Sequence, residues 1–363
     1  MARREPEVLI NGRFLRQRIT GVQRYARETL LALDDLLAGG AGAGLRWTVV
    51  VPRGTAAPSL RHIVVETLGR LQGHWWEQIE LAWRARAGLL VSFGFTGPWF
   101  TRRQIVTVHD AAVVRWPHSF SAAFAHGYRS LVRRIAARAP RTMTVSQFSA
   151  AEAVECFRAP RERVRVTCEG WQHLLRVAAD DAILDRHGLR DRRFVLAVSS
   201  PTPAKNFAVI AAALDTLGAQ APCCVIAGAA DASVFRQVSV AAATLCCVGY
   251  VSDAELKALY QHAACFVFPS LYEGFGIPPL EAMACGCPVI ASAVPAVREV
   301  CADAAAYFDP TRGDELAERL RTLLADETQR QRLREAGRRR LARYSWQAAA
   351  ERHLAAIREV VQT

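Results

Sequence analysis

Short apolar runs alternate with helix-length stretches along almost the whole chain, the pattern of parallel α/β units. Strands are predicted near 7–11, 46–51, 88–92, 104–108, 141–145 and 163–167. Helices are predicted near 21–38, 75–86, 121–139 and 147–157. The stretch 170–192 is less regular and carries several charges, so it reads as a junction. The alternation then restarts at Phe194-Val195-Leu196-Ala197-Val198. Further strands are expected near 222–227, 245–248, 264–268, 288–291 and 305–308, with helices near 205–217, 232–241, 252–261, 313–325 and 327–342. The closing stretch from Ser345 to Val361 reads as one amphipathic helix with Ser345 as its N-cap.

A chain of 363 residues suits two domains, each able to bury its own core. The expected division is 1–175, 176–343 and a final helix over 344–363. Two doubly wound sheets of this kind bind ligands at the carboxyl ends of their strands. Two common nucleotide signatures are missing: no G-x-G-x-x-G follows the first strand, and there is no phosphate-binding loop of the GxxxxGK type. Nor does any Asp-x-Asp pair occur, which argues against a carboxylate-held divalent metal on a diphosphate.

The most informative loop runs from Tyr272 to Ala282 and sets Glu273 and Glu281 eight positions apart. The buried-strand run Cys265-Phe266-Val267-Phe268 precedes it, and a helix from Pro279 to Ala284 is expected to follow, opening on proline. Between the glutamates, Gly274, Phe275 and Gly276 let backbone N–H groups approach an anion, assisted by the helix N-terminus. The arrangement suits a sugar nucleotide, with one carboxylate for ribose hydroxyls and one near the sugar–phosphate bond.

Four other stretches fall at strand ends. Gly21, in Ile19-Thr20-Gly21-Val22-Gln23, opens the first helix and permits close approach to a phosphate. His109, in Thr107-Val108-His109-Asp110, is expected to project into the cleft and donate to a phosphate or sugar hydroxyl. Lys205, within Ser199–Phe207, is placed to neutralise a leaving diphosphate. Cys168-Glu169-Gly170-Trp171-Gln172-His173 closes the first half, where Gly170 reads as a hinge-like turn or a site element.

The net charge of +12 comes mostly from arginine. Arg129, Arg133 and Arg134 lie on the stretch 121–139, with Phe120, Phe124, Tyr128 and Leu131 as an apolar side. This is either a solvated face or a surface for anionic lipid or a lipid-diphosphate acceptor; no nucleic-acid-binding motif accompanies it. The ten cysteines show no metal spacing and read as buried, reduced structural thiols. No apolar run approaches the ~18 residues that span a bilayer, and no signal peptide is evident. The chain is expected in the cytoplasm, peripheral at the inner face of the cell membrane.

Three segments together resemble the retaining nucleotide-sugar glycosyltransferases of family 4: Val248-Gly249-Tyr250-Val251-Ser252, Pro269-Ser270-Leu271-Tyr272-Glu273-Gly274-Phe275-Gly276 and Gly286-Cys287-Pro288-Val289-Ile290-Ala291. Thr107–Asp110, Thr144-Val145-Ser146-Gln147-Phe148-Ser149, Lys205-Asn206 and Tyr344-Ser345-Trp346 follow the family's signatures in order. The resemblance implies the GT-B fold: two Rossmann-like domains facing a central cleft, an N-terminal one for acceptor and a C-terminal one for nucleotide sugar, with the last helix crossing back. It implies Glu273, His109 and Lys205 as catalytic residues. It implies Gly21, Ser199, Lys205, Asn206, Gly274, Phe275, Gly276 and Glu281 as donor contacts, while the charge pattern directs Arg129, Arg133 and Arg134 toward acceptor or membrane. Neither metal nor other cofactor is expected. The implied activity is retaining transfer of a hexose, mannose from GDP-mannose first, to a saccharide or polyprenyl-diphosphate-linked acceptor in surface polysaccharide or lipopolysaccharide assembly. The competing readings are a nucleotide-sugar epimerase of similar fold and a non-catalytic membrane-associated assembly protein. Two departures stand out: Ser199 and Ala204 occupy places where many relatives carry arginine, and Cys168-Glu169 replaces the usual Pro-Asn.

Overall fold

The computed structural model describes residues 5–198, 202–228 and 245–362. They form two compact units, one built from the chain up to Gly170 together with Ser345 onward, the other from Trp171–Tyr344. The divisions thus fall at 170/171 and 344/345, a few residues from those set by the sequence pattern.

The first unit is built on seven parallel strands: β1 (Glu7–Asn11), β2 (Arg46–Pro52), β3 (Val64–Leu68), β4 (Leu89–Ser92), β5 (Gln104–Val108), β6 (Arg141–Thr144) and β7 (Val164–Val166). Their order is β3-β2-β1-β4-β5-β6-β7, so the winding reverses between β1 and β4. Helices on both faces keep β1, β4 and β5 buried along their whole length, which is why these strands read as continuous apolar runs. Glu7 is the exception in β1. The Arg84 guanidinium donates to both its oxygens at 2.8 and 2.9 Å and holds its carboxyl below the ordinary range. Strand β3 was not anticipated. It is the edge strand, half exposed, and Glu66 interrupts its apolar run to pair with Arg84.

The second unit holds six parallel strands: β8 (Phe194–Val198), β9 (Cys223–Ala227), β10 (Leu245–Gly249), β11 (Cys265–Phe268), β12 (Val289–Ser292) and β13 (Ala305–Phe308), in the order β10-β9-β8-β11-β12-β13. Here the reversal lies between β8 and β11. Ile226, Val267 and Ile290 form a core with Leu214 of the helix Phe207–Leu217 and Leu320 of the helix Gly313–Ala325. The helix expected at 232–241 lies outside the described residues. A short helix, Pro295–Cys301, was missed because seven residues give too little periodicity to recognise.

The closing helix, Trp346–Val361, starts on Ser345, whose hydroxyl accepts from the Ala348 N–H at 3.0 Å. It packs within the first unit against the first helix, Gly21–Ala38, as the fold class requires. Glu359 near its end pairs with Arg141 at 2.6 Å and Arg165 at 3.2 Å. The cysteines are all free thiols. Six are buried, and burial pushes the Cys265 and Cys301 thiols up to about 12. Cys247 departs from the expectation, standing exposed on the edge strand β10. Among the described residues no helix is long and apolar enough to cross a membrane.

Candidate active site

In the second unit the chain leaves β11 through the loop 269–276, beside the point where the winding reverses. Three hydrogen bonds from neighbouring segments fix the start of this loop. Asn206 donates its amide to the Pro269 carbonyl at 3.1 Å and to that of Pro310 at 2.7 Å. The Leu271 N–H donates to the Ala204 carbonyl at 2.8 Å, and Ser292 Oγ to that of Ser270 at 2.6 Å. Asn206 itself has φ 56°, a left-handed conformation that asparagine tolerates better than most residues. Its side-chain amide bonds two main-chain carbonyls and so ties Lys205 to the loop.

That tie brings Lys205 and Glu273 together. Lys205 Nζ donates to Glu273 Oε1 at 2.6 Å, and Ser270 Oγ donates to the same oxygen at 2.6 Å. Both side chains are half-buried, so water screens the pair less than it would on an open surface. Ser199, expected beside them, lies outside the described residues.

The helix begins at Ile277, two residues earlier than the sequence suggested, and runs to Ala284. Pro278 and Pro279 therefore occupy its first turn and remove two of the N–H groups a helix start normally offers. Anion contacts on this loop fall to the backbone before Pro278. Gly276 has φ 109°, and a Cβ there would lie 3.3 Å from the Phe268 ring, so glycine is required. Gly274 is buried beside it. The buried Phe275 ring packs edge-on against Tyr344 at 5.3 Å, leaving its backbone as the part that can meet a ligand.

Glu281 is buried on this helix, with a donor at each oxygen. His173 Nε2 lies 2.8 Å from Oε1, and Tyr260 OH donates to Oε2 at 3.1 Å. Burial, with the Glu281 charge beside it, raises the Tyr260 hydroxyl far above its ordinary pKa, so it remains a donor. Lys257 secures the turn carrying His173 by donating to the Leu174 and Val177 carbonyls at 2.9 and 2.8 Å. His173 ends the Cys168–His173 stretch singled out from the sequence, but no role was assigned to it there. Nothing in its local sequence signals that it meets a helix 108 positions away.

In the first unit, Gly21 opens an 18-residue helix whose N-cap, Thr20, makes no side-chain capping bond. A Cβ at Gly21 would meet nothing within 4 Å, so packing does not demand the glycine. His109 sits at the end of β5 but is buried with both ring nitrogens on protein groups. Nε2 is 2.9 Å from the Phe93 carbonyl and Nδ1 is 3.5 Å from Glu169. The free donor expected there is thus engaged, and Glu169, the residue that departs from the usual Pro-Asn, is its partner.

A cavity of about 370 Å³ lies where the winding reverses between β1 and β4, lined by Asn11, Arg13, Glu77, Thr96, Phe95 and Tyr128 among others. Glu77 is fully buried and accepts from Asn11 at 2.7 Å and Thr96 at 3.1 Å, with Arg13 at 3.3 Å and His74 at 3.2 Å. Burial alone would raise its pKa. The His74 hydrogen bond, the Arg13 charge and the Asn11 amide outweigh that and lower it. Phe120, Phe124 and Tyr128 stack in a ladder above, at 5.8 and 5.1 Å. Neither the cavity nor Glu77 was legible in the sequence. Arg129 is exposed on the helix Ala122–Arg138, while Arg133 and Arg134 are half-buried. Among the described residues no group of three or more His, Cys, Asp or Glu is arranged to hold a metal ion.

Two doubly wound parallel α/β units give the chain the architecture of the GT-B glycosyltransferases. Residues 180–340 match the family described as glycosyl transferases group 1. O-antigen chain mannosyltransferase B of Escherichia coli is 28% identical over 262 residues, covering 69% of this chain and 68% of that protein. O-antigen chain mannosyltransferase RfbU of Salmonella typhimurium is 30% identical over 213 residues, 58% of this chain and 57% of that protein. Among solved structures, sucrose-phosphate synthase from Thermosynechococcus elongatus has a TM-score of 0.76 at 21% identity, covering 99% of this chain and 100% of that one.

Proposed function

We propose that this glycosyltransferase moves a hexose from a nucleoside diphosphate donor, GDP-mannose in the first instance, onto a saccharide or polyprenyl-diphosphate-linked saccharide, with retention of anomeric configuration. The observation that carries the reading is the Lys205–Glu273 pair at 2.6 Å, followed on the next helix by the buried Glu281. The choice of mannose, and of surface polysaccharide or lipopolysaccharide assembly as the setting, is supported by the two bacterial relatives, both O-antigen chain mannosyltransferases. Reaction at the inner face of the cell membrane fits a lipid-linked acceptor.

In this reading Glu281 accepts from the ribose hydroxyls, having been oriented by His173 and Tyr260. Gly274, Phe275 and Gly276 bring main-chain groups to the sugar and phosphate. Lys205, shared between Glu273 and the diphosphate, meets the negative charge that grows on the leaving group. The bond between the anomeric carbon and the phosphate oxygen breaks while the acceptor oxygen bonds to the same face of that carbon. The acceptor's hydroxyl proton passes to the departing phosphate. Glu273 lies beside the transferred sugar and stabilises its oxocarbenium-like charge. No metal is required, because Lys205 and loop N–H groups supply the positive field. The polar cavity around Glu77, roofed by the Phe124–Tyr128 stack, takes the acceptor sugar, since sugars pair apolar C–H faces with polar edges.

The test is a panel of nucleotide sugars screened for protection against thermal unfolding, followed by transfer assays with the protective donor and NMR of the product anomer. Protection by a GDP-sugar and an axial product linkage from GDP-mannose are expected. Protection by no nucleotide sugar would overturn the reading, and an altered nucleotide sugar released without acceptor would replace it with an epimerase.

A further inference from the structure

The helical segment from Gly73 to Ala87 has two faces of opposite design. Its inner face, Trp76, Leu81 and Ala85, is buried against the sheet, and the Trp76 indole N–H donates to the Leu68 carbonyl at 2.9 Å. Its outer face carries Trp75, Ile79 and Trp83, spaced four apart and 72%, 53% and 65% exposed. A single exposed tryptophan is ordinary; three large apolar side chains in one row on an outward helix face are not. The loop 97–103 adjoins this helix, because Gln78 bonds both the Gly97 carbonyl and the Trp99 N–H, at 2.9 and 2.7 Å. Phe100 on that loop is 80% exposed, and the Arg134 guanidinium lies over the Trp99 and Phe100 rings at 4.8 and 5.5 Å.

The charge around this row is mostly positive. From Gly73 to Arg138 the chain holds nine arginines and three acids, Glu77, Glu80 and Asp110; of the arginines, Arg84 is paired with Glu7 and Glu66, and Arg115 with Glu152 and Glu155. Glu77 is buried in the cavity network, and Glu80 accepts from the N–H groups of Arg70 and Leu71. Arg86, Arg102 and Arg103 stand exposed on the helix and loop.

We propose that this face docks on an anionic lipid bilayer, with Trp75, Ile79, Trp83 and Phe100 entering the headgroup–acyl boundary and the surrounding arginines meeting lipid phosphates. Tryptophan suits that depth because its ring is apolar and its N–H polar. Apolar insertion and electrostatic attraction together give the two signals that stable peripheral binding needs. The apolar row lies on a different segment from Arg129, Arg133 and Arg134, the residues expected from charge alone, of which Arg134 reaches across to Trp99 and Phe100. A partner protein surface or a second copy would not call for the exposed Arg86, Arg102 and Arg103 around an apolar row, whereas an anionic bilayer does.

The test is flotation of the full chain with vesicles of phosphatidylcholine alone and of phosphatidylcholine mixed with phosphatidylglycerol. Binding only to the mixed vesicles, weakened by salt, is expected. The triple variant Trp75→Ser, Ile79→Ser, Trp83→Ser should lose about tenfold or more of that binding, while keeping its unfolding temperature with donor nucleotide. Arg86→Gln with Arg102→Gln should weaken it less and flatten the salt dependence. No binding to mixed vesicles, or full binding by the triple variant, overturns the proposal. So does concentration-dependent self-association that the triple variant abolishes, which would make the face a contact between copies. None of these outcomes bears on donor binding, and failure to bind nucleotide sugars would leave this surface untouched.

Discussion

His173 and Glu281 stand 2.8 Å apart in the second unit, both buried, although 108 positions separate them. A buried carboxylate needs such donors to stay charged. Glu281→Ala is expected to weaken nucleotide binding by about tenfold or more, read as KM for the donor and as Kd by calorimetry, with a smaller fall in kcat. His173→Ala should do the same in part, and His173→Gln, which keeps a donor, should recover much of the loss. Unchanged donor affinity in both His173 variants would remove it from the site.

Lys205→Ala should lower kcat by about a hundred- to a thousand-fold, the usual cost of removing one group aimed at developing charge. Glu273→Ala should lower turnover strongly while leaving nucleotide affinity near its original value. Wild-type transfer rates in both variants would refute the assignment of the 2.6 Å pair to the reaction.

Asn206 combines a left-handed backbone with two hydrogen bonds to main-chain carbonyls. Asn206→Ala loses the bonds and strains the backbone, for an expected destabilisation of about 2–3 kcal/mol. Asn206→Gly loses the bonds only and should cost about 1 kcal/mol less. Denaturant unfolding separates the two, and both should slow transfer because Lys205 is no longer held against the loop.

Tyr25 OH and His353 Nε2 meet at 2.6 Å in the buried core of the first unit. Burial lowers the His353 pKa from 6.5 to about 3, with the neighbouring His109 charge acting in the same direction. The folded state therefore keeps His353 neutral at pH values where the unfolded chain would protonate it. Its contribution is complete above about pH 6.5 and is lost on acidification toward about pH 3, at up to about 1.4 kcal/mol per pH unit. Scanning calorimetry between pH 7 and pH 5 should show this slope, and His353→Gln should flatten it.

Transfer activity should survive excess chelator, since the proposed charge stabilisation uses Lys205 and main-chain donors. Activity that disappears with chelator and returns with a divalent cation would overturn that part of the mechanism.

The strand–helix alternation, the restart at Phe194, the closing helix and the placement of Glu273 on a loop with Glu281 on a helix were all readable from the sequence. These features depend on local periodicity, proline and glycine chemistry, and capping residues, which neighbouring positions determine. Edge strand β3 escaped because a half-exposed strand lacks the apolar run that burial imposes. The partners were beyond reach for a different reason. Lys205 with Glu273, His173 with Glu281, His109 with Glu169 and the donors around Glu77 are joined across 68, 108, 60 and up to 66 positions. Which distant loops meet follows from the order in which strands enter each sheet, and β1 beside β4 or β8 beside β11 cannot be read from any local pattern. The sequence by itself determined the elements and the residues able to do the chemistry. The tertiary structure decided which of them share a hydrogen bond, because that depends on the sheet's crossovers and on packing between segments far apart in the chain.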